Sequence, residues 1–165
     1  MAIRPLRLFG DPVLTSTASP VTQFDGGLHR LVEDMLETMD AAGGVGLAAP
    51  QVGIGRRVFV FDCQGMRGHL VNPVWRPLGT EDQVGPEGCL SIPGIRADIA
   101  RHDTVVASGV DVYGRPVALR ATGLLARCIQ HETDHLDGVL FLTHMEPEAK
   151  KAAMAQIRAA DWFTA

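Results

Sequence analysis

The chain has little of what marks a secreted, membrane-spanning or nucleic-acid-coating protein. Its 165 residues include three cysteines, Cys63, Cys89 and Cys128. An odd number cannot all pair. In a chain of this length, a few such residues read as reduced thiols with metal-binding or catalytic roles open to them. No apolar run approaches the roughly 20 residues that cross a bilayer. The first residues, MAIRPLRLFGDPVL, contain no continuous apolar stretch of signal-peptide length. Formal charge is only −4, so neither nucleic acid nor an acidic membrane is indicated as a partner. Repeats, low-complexity tracts and linkers are also missing. The expectation is one cytoplasmic domain spanning residues 1–165, with 46% hydrophobic residues to build its core.

What is present is a pattern of helices and short strands. Leu28, Leu31, Val32, Met35, Leu36 and Met39 follow the three-four spacing of a buried helical stripe. Asp25 can cap the start of that helix, and Gly43-Gly44 can end it. Strands are predicted over 56–62, 69–75, 104–113 and 116–122, with a hairpin turn through Gly114. A second helix is predicted from near Gly123 to about Leu136, stopped by Asp137-Gly138. A third is predicted from Pro147, suited to a first helical turn, to about Asp161. Strands surrounding one central helix make an α+β domain of small antiparallel sheets.

The second helix carries the chemistry. In CIQHETDHLDGVLF, His131 and His135 are four residues apart, and Glu132 follows the first. At about 100° per residue, Leu124, Cys128, His131 and His135 fall within a stripe roughly 40° to 60° wide. Two imidazoles on one face can hold a metal, and Glu132 can reach a water beside it. The pattern also arises by chance, so the third ligand decides. A metzincin-type protease would place a histidine where this chain has Phe141, so that reading fails. A thermolysin-type protease would use a downstream glutamate. Glu146 and Glu148 are available, but they open the next helix, and the chain has little room for a second lobe. The remaining supplier is Cys89, in GPEGCLSIPG. Two imidazoles and a thiolate leave a fourth position for water, as catalytic sites do. A lone cysteine is more often a small core residue.

Three segments in order change that balance: GVGLAAPQ from Gly44 to Gln51, EGCLS from Glu87 to Ser91, and QHETDH from Gln130 to His135. Together they resemble the motifs of bacterial peptide deformylases. The resemblance extends to GDPVL near the start and to DHLDGVLF after the histidines. It implies a metal held by Cys89, His131 and His135, usually Fe2+, with Zn2+, Ni2+ or Co2+ able to substitute. It implies Glu132 as the acid–base group, with the Gln51 amide and the Leu90 backbone N–H as oxyanion donors. The substrate would be the formyl-methionyl end of a nascent peptide. Val45, Leu124 and Cys128 match positions lining the methionine pocket. Gly46 and Gly88 match positions beside the peptide backbone, and Glu87 and Arg96 match a charged pair near the cleft. A monomer is expected.

Two features depart from the pattern. Arg127 stands on the pocket-side edge of the helix, where family members often carry an apolar residue. It could narrow the pocket, reach toward the peptide backbone or point to solvent. The tail is short, with a modest basic patch of Lys150, Lys151 and Arg158. That patch leaves a transient ribosome contact open. Met154, Ile157, Trp162 and Phe163 instead suggest an ordinary packed helix.

Overall fold

A computed structural model describes residues 2–163. Helix α1 spans Gly26–Ala42. Asp25 caps it by accepting from the Leu28 N–H, and Gly43 ends it in the left-handed region. The predicted stripe is its buried face, with Leu36 only partly covered. Seven strands follow: β1 (Gly46–Ala48), β2 (Val58–Cys63), β3 (Met66–Pro77), β4 (Asp82–Cys89), β5 (Ile92–His102), β6 (Thr104–Val110) and β7 (Pro116–Thr122). Helices α2 (Gly123–Leu136) and α3 (Pro147–Ala159) complete the chain.

The strands form two antiparallel sheets. One has the order β1-β2-β3-β6-β7, and the other is the hairpin β4-β5. Both faces of β2 are covered. Val58 and Val60 pack with α1, whereas Phe59, Phe61 and Cys63 pack with α2. This alternation follows from the two-residue period of a strand. Helix α2 therefore lies under the five-stranded sheet, through Leu125, Ala126, Ile129 and Leu136. The β4-β5 hairpin covers another side of it, and α3 packs on that hairpin through Ala153 and Ile157. The result is the expected α+β architecture, with small antiparallel sheets around a central helix.

The end of α2 is fixed from outside. Arg57 donates to the Leu136 carbonyl at 2.8 Å and to Asp137 at 2.9 Å, placing a cation at the helix C-terminus. Gly138 then turns the chain at φ +73°, where an added Cβ would lie 2.8 Å from the backbone of Thr15. Only glycine satisfies both conditions.

The hairpin is absent from the predicted strands. The glycine- and proline-bounded segment from Gly85 to Gly94 forms most of β4 and the start of β5. Its glycines mark a register shift between Gly88 and Cys89 rather than the end of pairing. The hydrophobic residues in and just after α3 pack together, with Ile157 buried and Met154 in the helix and Trp162 and Phe163 beyond its end at Ala159 in the same cluster.

Candidate active site

A cleft of about 660 Å³ opens between the Gly43–Gly46 segment, the hairpin and α2. Each of the three motif segments contributes to its lining. Cys89, at the end of β4, meets His131 and His135 of α2, and their ligand atoms lie within 4.8 Å of one another. The Cys89 Sγ is 3.4 Å from the His135 Nε2. His131 Nδ1 is 2.7 Å from Glu87 Oε1, which leaves Nε2 free to face the cluster.

The electrostatics suit a cation. Burial lowers the His135 pKa, and the neighbouring His131 adds to the effect, so its imidazole stays neutral and ligand-competent. Burial also disfavours a charged His131, but hydrogen bonds with Cys89 and Glu87 outweigh this and raise its pKa. The position between these groups therefore favours positive charge. Two buried atoms of the site, Glu132 Oε1 and His135 Nδ1, have no hydrogen-bond partner among the described residues. Such groups are rare in folded chains; Glu132 Oε1 is accounted for where a further species such as a water joins the site, whereas His135 Nδ1 faces away from the Nε2 that meets Cys89. One thiolate and two imidazoles are a good donor set for a borderline divalent metal. The residues present thus fit a divalent ion.

Glu132 is buried, and that burial pushes its pKa up to about 7. It lines the cleft beside Cys128. An added Cβ on Gly46 would lie 2.6 Å from the Cys128 Sγ and 2.7 Å from Glu132 Oε2. Gly46 is therefore required for close approach, not for helix termination. Gln51 sits in a short 3-10 segment, Ala49–Val52, and is buried. Its Oε1 accepts from the Ala48 N–H at 2.9 Å, which turns the NH2 group toward Ser91 Oγ at 3.1 Å and Cys89 Sγ at 3.6 Å. The side-chain amide is thus aimed into the site by the backbone. Leu90 lies at the hairpin turn beside Cys89 and lines the same cleft. Val45 and Leu124 are each 43% exposed at the cleft mouth, and Cys128 is buried further in.

One expected pairing does not form. Glu87 contacts Arg101, Arg127 and His131 instead of Arg96. In the hairpin register, Gly88 is opposite Arg96 and Glu87 is opposite Ala97. Adjacent residues of a strand face opposite ways, so Glu87 points inward and Arg96 outward. Arg96 lines the cleft as an exposed residue. Arg127 lines the cleft but does not point to solvent, since its guanidinium is buried on Glu87. Arg101 also escaped the sequence reading. It continues the inward positions Ile95, Ala97 and Ile99, and a charge at an inward position is the signal that could have found it.

The chain resembles known proteins over nearly its whole length. A sequence model of the polypeptide deformylase family matches residues 3–151. The chain is 61% identical over 167 residues to peptide deformylase 1 of Corynebacterium efficiens, covering 99% of both chains. It is 56% identical over 162 residues to the peptide deformylase of Acidothermus cellulolyticus, covering 98% of this chain and 89% of that one. Among solved structures, the peptide deformylase from Ehrlichia chaffeensis in complex with actinonin superposes with a TM-score of 0.90 at 32% identity, covering 99% and 100% of the two chains. The peptide deformylase from Synechococcus elongatus, also in complex with actinonin, gives 0.88 at 43% identity, covering 93% and 85%. With likeness of this extent, and a cleft whose Cys89, His131 and His135 could hold a metal, the chain belongs to the polypeptide deformylase family, a family of metal-dependent hydrolases.

Proposed function

We propose that the chain removes the formyl group from N-formyl-methionyl peptides by hydrolysis, releasing formate and a free methionine N-terminus. The observation that carries this reading is the convergence in one cleft of three metal donors, the unpartnered Glu132 carboxyl and the amide of Gln51. Cys89, His131 and His135 hold the ion, Fe2+ in the cell, with Zn2+, Ni2+ or Co2+ able to take its place. A divalent ion bound there supplies Lewis acidity and makes a water easier to deprotonate.

The side chains do the rest. Glu132, with its carboxyl near neutrality, accepts the water proton as the formyl carbon is attacked. The Gln51 NH2 and the Leu90 N–H donate to the oxyanion of the tetrahedral intermediate. Glu132 then delivers its proton to the departing amine. Strand β1 is at the edge of its sheet, so an extended peptide can add beside Gly44 and Gly46. Val45, Leu124 and Cys128 receive the methionine side chain, whereas Gly88 and the exposed Arg96 lie along the peptide that follows.

The partners are nascent peptides, with Lys150, Lys151 and Arg158 exposed on α3 for transient contact with the ribosome. Among the described residues, no helix is long and apolar enough to cross a membrane. Residues 1–165 act as one catalytic domain in the cytoplasm, as a monomer.

The test is formate release from formyl-Met-Ala-Ser by anaerobically purified, iron-loaded protein. Glu132→Ala is expected to lower the rate by about 10²–10⁴-fold with the metal retained. No formate from a protein holding one metal, together with cleavage inside unformylated peptides, would replace this reading with that of a small metallopeptidase.

A further inference from the structure

Glu87 is the centre of a buried charge cluster that joins the hairpin to α2. A carboxylate has about four acceptor positions, and each here has a donor. Oε1 accepts from Arg101 Nη2 at 2.9 Å and His131 Nδ1 at 2.7 Å. Oε2 accepts from Arg101 Nε at 2.7 Å and Arg127 Nη1 at 2.6 Å. Arg101 is shared, because its Nη1 donates to Asp134 at 2.8 Å. Asp134 is in turn 2.9 Å from His144. Two carboxylates and two guanidiniums balance. Without Arg127, the cluster has one uncompensated negative charge directly behind His131.

We propose that Arg127 is a positioning residue that acts through Glu87 to fix His131 with Nε2 toward the cation, and so sets how tightly the site holds its metal. This deepens the proposed function and rests on its assignment of Cys89, His131 and His135 as ligands. Arg127 precedes His131 by one helical turn and projects from the same face. Beyond Glu87, it donates to the Ile99 carbonyl of β5 at 2.8 Å and lies 3.3 Å from Gln83 Oε1 of β4. An added Cβ on Gly85 would be 3.4 Å from its Nη2, so the hairpin passes directly over the guanidinium. One side chain thus ties both hairpin strands to the helix where Cys89 and His131 must meet. It also holds the rotation of the carboxylate that His131 follows. Partners behind metal-bound histidines fix the tautomer and ring orientation in the same way.

The experiment uses the protein loaded with Co2+, whose visible ligand-field spectrum reports the arrangement of its ligands. Wild type, Arg127→Met, Glu87→Gln and the double variant are compared for band positions and for rate of metal release to a chelator. Arg127→Met is expected to shift the bands and to release Co2+ about 10-fold faster, at the low end of the range for such partners. In the Glu87→Gln background, Arg127→Met should add nothing, because the two act along one path. Arg127→Lys, which keeps the charge, should restore part of the retention. If Arg127→Met does not fold, Arg127→Gln replaces it with the same expected direction. Wild-type bands and release in the folded variant, with only its unfolding temperature lowered, would overturn the proposal, as would additive effects in the double variant. Wild type that takes up no Co2+ would instead remove the metal assignment itself.

Discussion

Two guanidinium–carboxylate clusters in this chain share a geometry and differ in surroundings. On the surface, Arg67 bridges Asp40 and Asp62 at 2.9 Å each, with all three side chains 42–52% exposed. In the interior, Glu87 is held by Arg101 and Arg127 at 2.7 and 2.6 Å, with all three 4–6% exposed. Distance alone does not separate them. In the exposed cluster, water and salt replace any contact that breaks, so little stability depends on it. In the buried cluster nothing replaces a lost partner, and the charge left behind has no solvent. The chain places the second kind behind His131 of the candidate metal site, where rigidity has a use.

The contrast can be broken most severely at Arg101. Replacing Arg101 with Met leaves Glu87 and Asp134 short of a partner, and about 3–5 kcal/mol of stability should be lost in urea unfolding. An equal loss at the surface would end the distinction. Arg67→Met should leave the unfolding midpoint within experimental error. Raising salt from 0.1 to 1 M, which shortens the screening length from about 10 to about 3 Å, should erase any residual effect of Arg67 but leave the Arg101 deficit in place.

The smallest effect is the acid response of Asp40. Its hydrogen bond with Arg67 holds the carboxyl below its ordinary value of 3.8. A depressed carboxylate stabilises the fold above the unfolded value, and this contribution is lost as pH falls through the folded value. The small difference between wild type and Asp40→Asn should therefore vanish in strong acid. A gap that widens as acid is added would contradict the sign.

Legibility along the chain followed the same divide between local and non-local causes. Helix α1 was readable because its buried stripe, its Asp25 cap and its Gly43 stop are all local. Strand β7 was read to its bounds, Pro116–Thr122, because the turn at Gly114 precedes it and α2 follows. The hairpin was not readable. Gly85, Pro86, Gly88, Pro93 and Gly94 are strand breakers by composition, yet Gly85, Pro86 and Gly88 pair with Ile99, Asp98 and Arg96 of the opposite strand, and Pro93 and Gly94 fall in the irregularity beside the turn. The three-residue strand β1 is too short to show a period.

The site divides in the same way. His131, Glu132 and His135 share a helix, so a spacing of four residues places them, and the motifs around Cys89 and Gln51 named the remaining groups. At Arg127 the sequence left pocket, peptide backbone and solvent open; the residue lines the cleft, but its guanidinium is held by Glu87, in a helix with eleven of its fourteen residues buried. Glu87 and Arg96 looked like a pair until the register set them on opposite faces.

The sequence by itself determined the helices, the ligand spacing and the reaction class. These depend on residue type and on periods of a few residues. Only the tertiary structure decided which carboxylate orients His131, which groups the Gln51 amide meets and what Arg127 holds. Each of those depends on a partner brought from 38 to 44 positions away. The cost of burying a charge selects that partner only once the fold has excluded water.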